Sequence, residues 1–289
     1  MSQDLKFIAE VSSNHSRDIA RCYRFIDASA AAGCQAVKFQ LFRIDQLFAP
    51  EILERSAKHR ARSQWELPLD FLPLLAQRSR ERGIEFSCTP FYLDAVAELA
   101  PHVDFYKIAS YELLWDELLA ACAATGKPVV LSTGMATMDE IVHAVDVLKR
   151  NGCAQPTLLH CTSAYPTPWQ EANLAAIDTI RDATGCAVGW SDHTVEAGVM
   201  HRAIHAHGAR VVEFHIDLDG QGEEFAAGHG WLPEQIATVI RDVQRGLGAD
   251  GDGVKVPVAS ELPDRLWRAD PADGLRPFKQ LRQTWQAGV

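Results

Sequence analysis

Eight short apolar runs alternate with stretches of helical spacing along this chain, and that alternation restricts its fold more than any other feature. The runs are residues 6–12, 36–42, 85–91, 104–110, 128–134, 157–163, 187–193 and 211–217. Stretches rich in Ala, Leu, Glu and Arg lie between them, such as residues 139–150 and 174–183. A strand followed by a helix, eight times in about 250 residues, predicts an α/β fold of the (β/α)8 TIM barrel type. A doubly wound sheet is the alternative, but no glycine-rich fingerprint follows the first run.

The spacing of the runs also predicts how the chain is divided. Residues 1–250 are expected to form the barrel, with an insertion after the second strand at residues 43–70. Such a long segment forms either a wall of the site or a surface excursion. Residues 251–289 are rich in Gly, Pro and Asp and are too short for a core of their own. We therefore expect an irregular C-terminal tail packed on the barrel, with no separate domain.

Charge and cysteine content restrict the possible partners and compartment. A net charge of -10 and a pI near 5.5 argue against general binding to nucleic acid or to an anionic membrane. No apolar run approaches the roughly 20 residues of a membrane helix, and the first residues do not resemble a signal peptide. The seven cysteines are scattered and form no CxxC pair. They predict a reducing, cytoplasmic compartment and no structural zinc.

Polar residues interrupt nearly every apolar run close to its C-terminal end. Strands of a parallel barrel are covered on both faces and should be almost entirely apolar, so such exceptions are informative. Barrels of this type place their active sites at the C-terminal ends of the strands. The sequence therefore predicts a site there, with these candidate residues: Glu10, Lys38, Gln40, Thr89, Lys107, Ser110, Ser132, Ser163, Ser191, His193, Glu213 and His215.

Two of these candidates are lysines. A single lysine in a strand is explained by a buried ion pair, but Lys38 and Lys107 are accompanied by hydroxyl groups at the same level. A lysine removed from water costs several kcal/mol unless an anion compensates it. Converging Lys, Ser and Thr donors suit a phosphate or a carboxylate, and Gly134 lets backbone N–H groups approach. The pattern predicts an anion-binding pocket.

Two histidines close consecutive predicted strands. His193 and His215 could share one divalent cation, and Glu213 or Glu10 could complete its ligands. Residues 211–217 alternate, so Glu213, His215 and Asp217 are expected on one face. The alternative is that the two histidines form separate hydrogen bonds and bind no metal. If they do bind one, two histidines without a cysteine are compatible with zinc, manganese, iron or cobalt. A metal beside an anion pocket predicts a reaction on an anionic substrate whose carbonyl partner is polarised.

Many collinear motifs point to a known family. FIAEVSSNH, AVKFQLF, FSCTPF, YKIASYEL, GKPVVLSTGMAT, LLHCTSAYPTP, NLAAI and VGWSDHT occur in this order. Together they resemble the catalytic barrel of the sialic acid (N-acetylneuraminate) synthase family, from about residue 6 to residue 245. The resemblance implies a transferase that condenses phosphoenolpyruvate with an aldose such as N-acetylmannosamine. The products would be a nonulosonic acid and phosphate, and the cofactor a divalent metal, most often manganese, with magnesium, cobalt and zinc as alternatives.

The resemblance also implies roles for the candidate residues. His193 and His215 would bind the metal, while Glu10 and Gln40 would line the reacting centre. Glu10, or else Glu213, would orient or deprotonate the water that adds to C2. The expected catalytic residues are therefore Glu10, Gln40, Lys107 and Glu213. Contacts to phosphoenolpyruvate are implied for Lys38, Thr89, Lys107, Ser110, Ser132, Ser163, Asn173 and Ser191.

Departures from the family pattern concern the acceptor sugar. Because the sequence ends at Val289, we expect the family's C-terminal antifreeze-like domain to be missing. In the family that domain helps to hold the dimer together, so a homodimer is possible here but is not decided by the resemblance. Phe214 stands where the family has a basic residue. The family's acidic sugar-binding position falls on Ala226, with three possible substitutes nearby: Glu223, Glu224 and His229. We therefore expect the family's donor chemistry with an unusual acceptor. If that acceptor is charged, arginines of the tail could bind it: Arg265, Arg268 and Arg276.

Two rival functions fit the same residues. In a Schiff-base aldolase, Lys107 or Lys38 would be the nucleophile, its pKa lowered by the other lysine. Alternatively, a non-catalytic barrel would bind an anionic metabolite without turning it over. All three interpretations involve small-molecule ligands, with neither nucleic acid nor membrane as a partner.

Overall fold

The computed structural model describes residues 5–286. The chain divides after Gln244 into two compact units, and each is described by itself. Within the described residues no helix combines the length and the apolar character that crossing a bilayer requires.

A closed parallel sheet forms the first unit. Its strands are β1 Lys6–Glu10, β2 Ala36–Leu41, β3 Glu85–Pro90, β4 Phe105–Ile108, β5 Val129–Ser132, β6 Thr157–His160, β7 Ala187–Asp192, β8 Val211–Ile216 and β9 Gly230–Trp231. They pair in chain order, and β1 also pairs with β8, which closes an eight-stranded barrel. The predicted TIM barrel is confirmed. The two-residue strand β9, which pairs outside the barrel with β8, was not predicted.

Helices follow the strands as the periodicity predicts. They are α1 Ile19–Ala32, α2 Ile44–Leu47, α3 Pro50–Arg55, α4 Ala57–Ala61, α5 Phe71–Glu81, α6 Leu93–Leu99, α7 Asp116–Ala124, α8 Met138–Arg150, α9 Ala176–Thr184, α10 Ala197–His205, α11 Glu223–Ala227, α12 Pro233–Ala249 and α13 Lys279–Arg282. Helix α8 shows why the pattern works. The Thr137 side chain accepts from the Glu140 N–H and the Glu140 carboxylate accepts from the Thr137 N–H, so a capping box fixes its start.

The segment after β2 consists of short helical pieces. Helices α2, α3 and α4 are followed by a 3-10 turn at Arg62–Trp65. The Ile44 N–H donates to the Glu66 carboxylate at 2.9 Å, which ties the start of the segment to its end. Arg17, in the loop after β1, donates to the Ser63 carbonyl at 3.5 Å. The segment therefore lies beside the loop at the C-terminal end of β1.

An apolar layer closes the barrel interior below the polar residues. Ile8, Ala36, Phe105, Val130 and Leu159 form a buried cluster, with Val211 packed against it. Alternate residues of a strand face the same side, so a residue two positions later lies one layer higher on the inside. The pairs along the strands are Ile8 and Glu10, Ala36 and Lys38, Phe105 and Lys107, Val130 and Ser132, and Val211 and Glu213. The polar layer thus rests on an apolar floor.

Asp192 at the end of β7 holds the neighbouring loops in place. Its buried carboxylate accepts from the indole N–H of Trp190 at 3.1 Å and from that of Trp231 at 3.0 Å. It also accepts from the Thr194 hydroxyl at 2.7 Å and from the Val195 N–H at 3.2 Å. Because Trp231 belongs to β9, this one side chain links the end of β7 to β9. It fixes the position of the adjacent His193.

The second unit has its own local interactions. The Asp270 carboxylate accepts from the backbone N–H groups of Ala272 at 2.9 Å and of Lys279 at 2.7 Å. Arg282 forms a two-bond ion pair with Asp273, at 2.6 and 2.8 Å. These contacts organise a compact turn around α13. That this tail packs on the barrel stays a prediction.

Replacing Asp192 by Ala should lower the free energy of unfolding by about 2 to 5 kcal/mol, because two buried indole N–H groups and a hydroxyl lose their acceptor. Urea denaturation measures the change. Asp182, whose side chain is three-quarters exposed, provides the control, and D182A should stay within about 0.5 kcal/mol of the wild type. Equal stability of D192A and D182A would contradict the anchoring role.

Candidate active site

Lys38 lies at the centre of a buried polar network on β1 and β2. It forms an ion pair with Glu10, and its Nζ donates to the Thr89 hydroxyl at 3.1 Å. Gln40 donates to the other Glu10 oxygen at 2.6 Å. Burial opposes charge on Lys38, but the carboxylates of Glu10 and Glu213 outweigh it, and the pKa of Lys38 is raised. Lys38 is therefore a permanent cation inside the barrel.

Lys107 on β4 has weaker compensation. Its Nζ lies 3.5 Å from the Glu213 carboxylate and donates to the Ile108 carbonyl at 3.2 Å. Burial, joined by the charge of Lys38, lowers the pKa of Lys107 in spite of Glu213. The same lysines lower the pKa of Glu213 against its own burial. An incoming anion next to Lys107 would add to the compensation that Glu213 provides.

Hydroxyl groups continue this surface on the following strands. The Ser110 hydroxyl accepts from the Gly134 N–H at 3.0 Å and lies 3.3 Å from the Cys161 thiol. A Cβ on Gly134 would lie 2.3 Å from the Ser163 hydroxyl, so only glycine lets these groups converge. Among residues 5–286, the buried hydroxyls of Ser132 and Ser163 find no hydrogen-bond partner. Unused donors of this kind are suited to an anion.

His193 is oriented as metal-binding histidines usually are. Its Nδ1 donates to the Thr162 carbonyl at 2.8 Å, which leaves the lone pair of Nε2 free. Burial, together with the nearby His215, lowers the pKa of His193 to about 3. The ring is therefore neutral at ordinary pH. A neutral imidazole with one nitrogen anchored is ready to bind a cation.

Two further residues surround His215. Its Nδ1 donates to the Glu224 carboxylate at 2.8 Å, and its ring centroid lies 5.2 Å from that of His229 and 5.4 Å from that of His193. Burial opposes charge on His215, but Glu224 raises its pKa. Tyr165, in the loop after β6, covers the group. Its ring centroid is 4.3 Å from His193, 5.9 Å from His215 and 5.3 Å from His229.

This histidine group fits a divalent metal. His215, Glu224 and His229 offer ligand atoms that all lie within 4.8 Å of one another. Nδ1 of the buried His229 has no hydrogen-bond partner among the described residues. Imidazole nitrogens with one carboxylate are ligands of first-row transition metals. The predicted pair, His193 and His215, thus adjoins two residues that sequence reasoning did not assign to a metal.

A cavity of about 510 Å³ opens next to this group. Its walls come from the loop after β1, the segment after β2 and the segment after β8. They are lined by Ser13, Asn14, Ser16, Arg21, Gln64, Trp65, Gln221, Gly222, Glu223 and Glu224. A volume of this size and a mixed polar and aromatic lining suit a small polar ligand.

Asp217, Ser191 and Asn173 are the remaining polar residues that the sequence analysis singled out, and only Ser191 faces the site. Asp217 follows the end of β8, accepts from the Asn14 amide at 2.6 Å and from the Gly222 N–H at 3.1 Å, and so holds the loop in place. Ser191 faces the site and donates to Glu213 at 3.3 Å. Asn173 is exposed and lines a second cavity, of about 580 Å³, together with Trp169 and Arg202.

Sequence reasoning also missed Glu112. It ends the 3-10 turn Ser110–Glu112 after β4 and is buried. Burial raises the pKa of Glu112 to about 8, against the opposing charges of Lys107 and Lys38. The motif YKIASYEL contained this residue, but nothing in the apolar alternation showed that its side chain would be buried. Glu112 is a protonated carboxyl group beside the anion pocket at neutral pH.

A barrel whose strand ends combine buried lysines, unpaired hydroxyls and a histidine–carboxylate group is an enzyme of small-molecule chemistry. The NeuB family matches residues 25–255, and the chain belongs to that family. It is 35% identical to the N,N'-diacetyllegionaminic acid synthase of Campylobacter jejuni, over 88% of this chain and 80% of that protein. It is 32% identical to the enzyme of the same name from Legionella pneumophila, over 89% and 76%.

A solved structure supports the same relationship. The crystal structure of N-acetylneuraminic acid synthetase from Leptospira borgpetersenii, in complex with citrate, superposes with a TM-score of 0.79. The two sequences are 31% identical, and the match covers 90% of each chain. The predicted family and the prediction of an enzyme of the synthase class are confirmed.

The raised pKa of Glu112 predicts a pH-dependent stability. In the unfolded chain the carboxyl group returns to its ordinary pKa of 4.5, so its contribution is complete below that pH and is lost as pH rises towards about 8. The free energy of unfolding of the wild type should fall relative to E112Q over this range, by at most about 1.4 kcal/mol per pH unit. Urea denaturation at several pH values tests this. Parallel pH profiles of the two proteins would contradict the assignment.

Proposed function

We propose that this protein condenses phosphoenolpyruvate with an aldose to give a 3-deoxy-2-keto sugar acid of the nonulosonic type and phosphate. The observation that carries the proposal is the undercompensated Lys107 next to Lys38, with the unpaired hydroxyls of Ser132 and Ser163. The names of the related synthases support the same reaction class. An anionic donor suits a pocket that holds two lysines and hydroxyl groups without hydrogen-bond partners among the described residues.

The donor is proposed to lie across strands β2 to β6. Lys38 and Lys107 would hold its carboxylate and phosphate. Ser110 and Ser163 converge around Gly134. Together with Ser132 they would donate to the phosphate oxygens. Thr89 is held next to Lys38 and Ser191 next to Glu213, so both belong to the wall of this pocket. Asn173 is retained as a predicted contact, although its side chain lines the second cavity.

The acceptor is proposed to enter through the cavity between the loops after β1, β2 and β8. Its polar lining includes Asn14, Gln64 and Glu223, which suit hydroxyl groups, and Trp65 offers a flat apolar face. The cavity reaches Glu224, which contacts His215. A sugar bound there would therefore bring its aldehyde end towards the histidine group.

The proposed chemistry joins C3 of phosphoenolpyruvate to the aldehyde carbon. Positive charge then develops at C2, and the former aldehyde oxygen takes up a proton to become a hydroxyl group. A water molecule adds at C2 and loses one proton. The C2 hydroxyl then loses its proton as the bond between C2 and the bridging oxygen breaks, so C2 becomes the keto carbon and this oxygen leaves with the phosphate. Glu10 would orient the water, and the contacts of its carboxylate with Lys38 and Gln40 inside the barrel support this role. Glu213 stays ionised and would stabilise the positive charge at C2.

A divalent metal, proposed as manganese, would be held by His193 and His215. When bound it would polarise the aldehyde oxygen of the acceptor. The neutral His193 with its free Nε2 supports this assignment. Thr162 keeps the His193 ring oriented through its Nδ1 atom.

A Schiff-base aldolase is the second candidate, because one observation favours it. Burial and Lys38 lower the pKa of Lys107, as a nucleophilic lysine requires. Treating the protein with borohydride in the presence of a carbonyl substrate distinguishes the two reactions. A covalent adduct on Lys107 would support the aldolase, and its absence during turnover would support the synthase.

We also propose a cytoplasmic site of action. All seven cysteines lie in the described part of the chain, and all are buried and unpaired. Unpaired cysteines of this number are typical of a reducing compartment.

Phosphate release from phosphoenolpyruvate, measured with manganese across a panel of N-acetylated, plain and phosphorylated aldoses, tests the function. We expect release only when both metal and one class of aldose are present, and its loss on addition of a chelator. With 18O in the bridging position of phosphoenolpyruvate, the label should appear in phosphate. Label retained in the sugar acid would rule out the proposed bond cleavage. Tight donor binding without turnover for any aldose would favour a binding protein.

Replacing Lys107 by Ala should lower kcat/KM for phosphoenolpyruvate by roughly 100-fold or more, because the donor loses a desolvated cation. The matched control is K149A, since Lys149 is an exposed lysine of α8. Steady-state kinetics with the active aldose measure both variants. Near-normal turnover in K107A would refute the proposed anion pocket.

A further inference from the structure

Three potential metal ligands come from one continuous segment, residues 215–229. His215 is on β8, Glu224 is on α11, and His229 directly precedes β9. Their ligand atoms lie within 4.8 Å of one another. The two histidines are buried and the glutamate is partly buried. The group thus lies inside the site and is unlike a chance cluster of surface acids.

The separation of the atoms suits a shared ion. His215 Nδ1 and the Glu224 carboxylate are 2.8 Å apart. Ligand bonds of about 2.1 Å at nearly right angles place neighbouring ligand atoms about 3 Å apart. Replacing the shared proton by an ion would therefore leave both atoms in place as neighbouring ligands. The His229 ring stands at 77° to the His215 ring, so both can direct a nitrogen to a common point.

His229 provides an independent indication. Its Nδ1 is buried and has no hydrogen-bond partner within residues 5–286, and the residue is only 7% exposed. Buried polar atoms in native proteins are nearly always satisfied, so an unpartnered imidazole nitrogen indicates a missing ligand.

The backbone fixes the three residues relative to one another. The His229 N–H donates to the Glu224 carbonyl at 3.1 Å, which closes the turn after α11. Gly230 then pairs with His215 in the β8–β9 register. The Asp217 N–H donates to the Trp231 carbonyl at 2.8 Å and continues this pairing. The ligand atoms are therefore held in position before any ion binds.

We propose that His215, Glu224 and His229 together bind one divalent first-row transition-metal ion. His193 stands beside this group and can add its free Nε2. Two imidazoles with a carboxylate favour manganese, iron, cobalt or zinc over magnesium and calcium, which prefer oxygen ligands. Only the catalytic role of the ion rests on the proposed function, because binding of the ion needs neither phosphoenolpyruvate nor sugar.

The test uses the full chain without substrates. Manganese affinity is measured by titration, and pulsed electron paramagnetic resonance counts the 14N nuclei coupled to bound manganese. H229Q should lose one 14N coupling, and E224Q/H229Q should lose more than ~100-fold in affinity, which exceeds the ~10–100-fold effect of residues that only support a ligand. Magnesium in excess should not displace manganese from the wild type.

His201 and His205 provide the control. They form an exposed stacked pair on α10, with ring centroids 5.7 Å apart, and could bind a metal adventitiously. H201A/H205A should keep the affinity and the 14N couplings of the wild type. Thermal unfolding of all metal-free variants checks that each one is folded.

The outcomes separate this inference from the proposed function. If E224Q/H229Q is folded and binds manganese with wild-type affinity and couplings, the assignment of Glu224 and His229 is overturned, whatever the turnover. Loss of binding only in H201A/H205A overturns it as well. If the variants lose the ion as expected but the wild type releases no phosphate with any aldose, the metal site stands and the proposed reaction fails.

Discussion

The buried lysine–glutamate pairs of the barrel interior are the constraint on which the site depends. Lys38 is held charged by Glu10, and Lys107 is only partly balanced by Glu213. Ion pairs taken out of water are tolerated only when their partners are closely placed, and the strands of a closed barrel provide such placement. The apolar floor beneath them, formed by residues such as Ile8 and Phe105, keeps water out from below. A charged ligand can therefore approach these residues only from the mouth of the barrel, at the C-terminal ends of the strands.

Because the strands pair in chain order, different kinds of polar side chain lie on different sides of the barrel mouth. Strands β2 to β6 contribute the lysines and hydroxyls, while β7, β8 and the segment after β8 contribute the histidines and Glu224. Because β8 pairs with β1, the histidine group lies next to the loop after β1 and the cavity lined by Trp65. In the proposed reaction, the anionic donor and the sugar approach Glu10 from these two sides. Tyr165 covers the histidine group from the loop after β6.

Much of this arrangement could be predicted from the sequence because β-strand alternation is local. Lys38 and Gln40, or Glu213 and His215, had to share a face once the strands were recognised, and the structure buries or half-buries all four. Asp217 breaks the rule, because β8 ends at Ile216 and its carboxylate turns to Asn14 and Gly222. The burial of Glu112 and the approach of Glu224 and His229 to His215 could not be predicted. These residues lie in single turns of helix or in loops after the strands, too short for a period to relate sequence position to direction.

The sequence by itself determined the eight strands, the barrel, the family and the inward polar residues of the strands, because hydrophobic periodicity and collinear motifs are properties of the chain. Only the tertiary structure decided which charges meet. The ion pair between Lys107 and Glu213, at 3.5 Å, joins strands that are far apart in sequence. The approach of Glu224 and His229 to His215 depends on the turn after α11 and on β9. Contacts of this kind follow from how separate segments pack, which residue spacing does not encode.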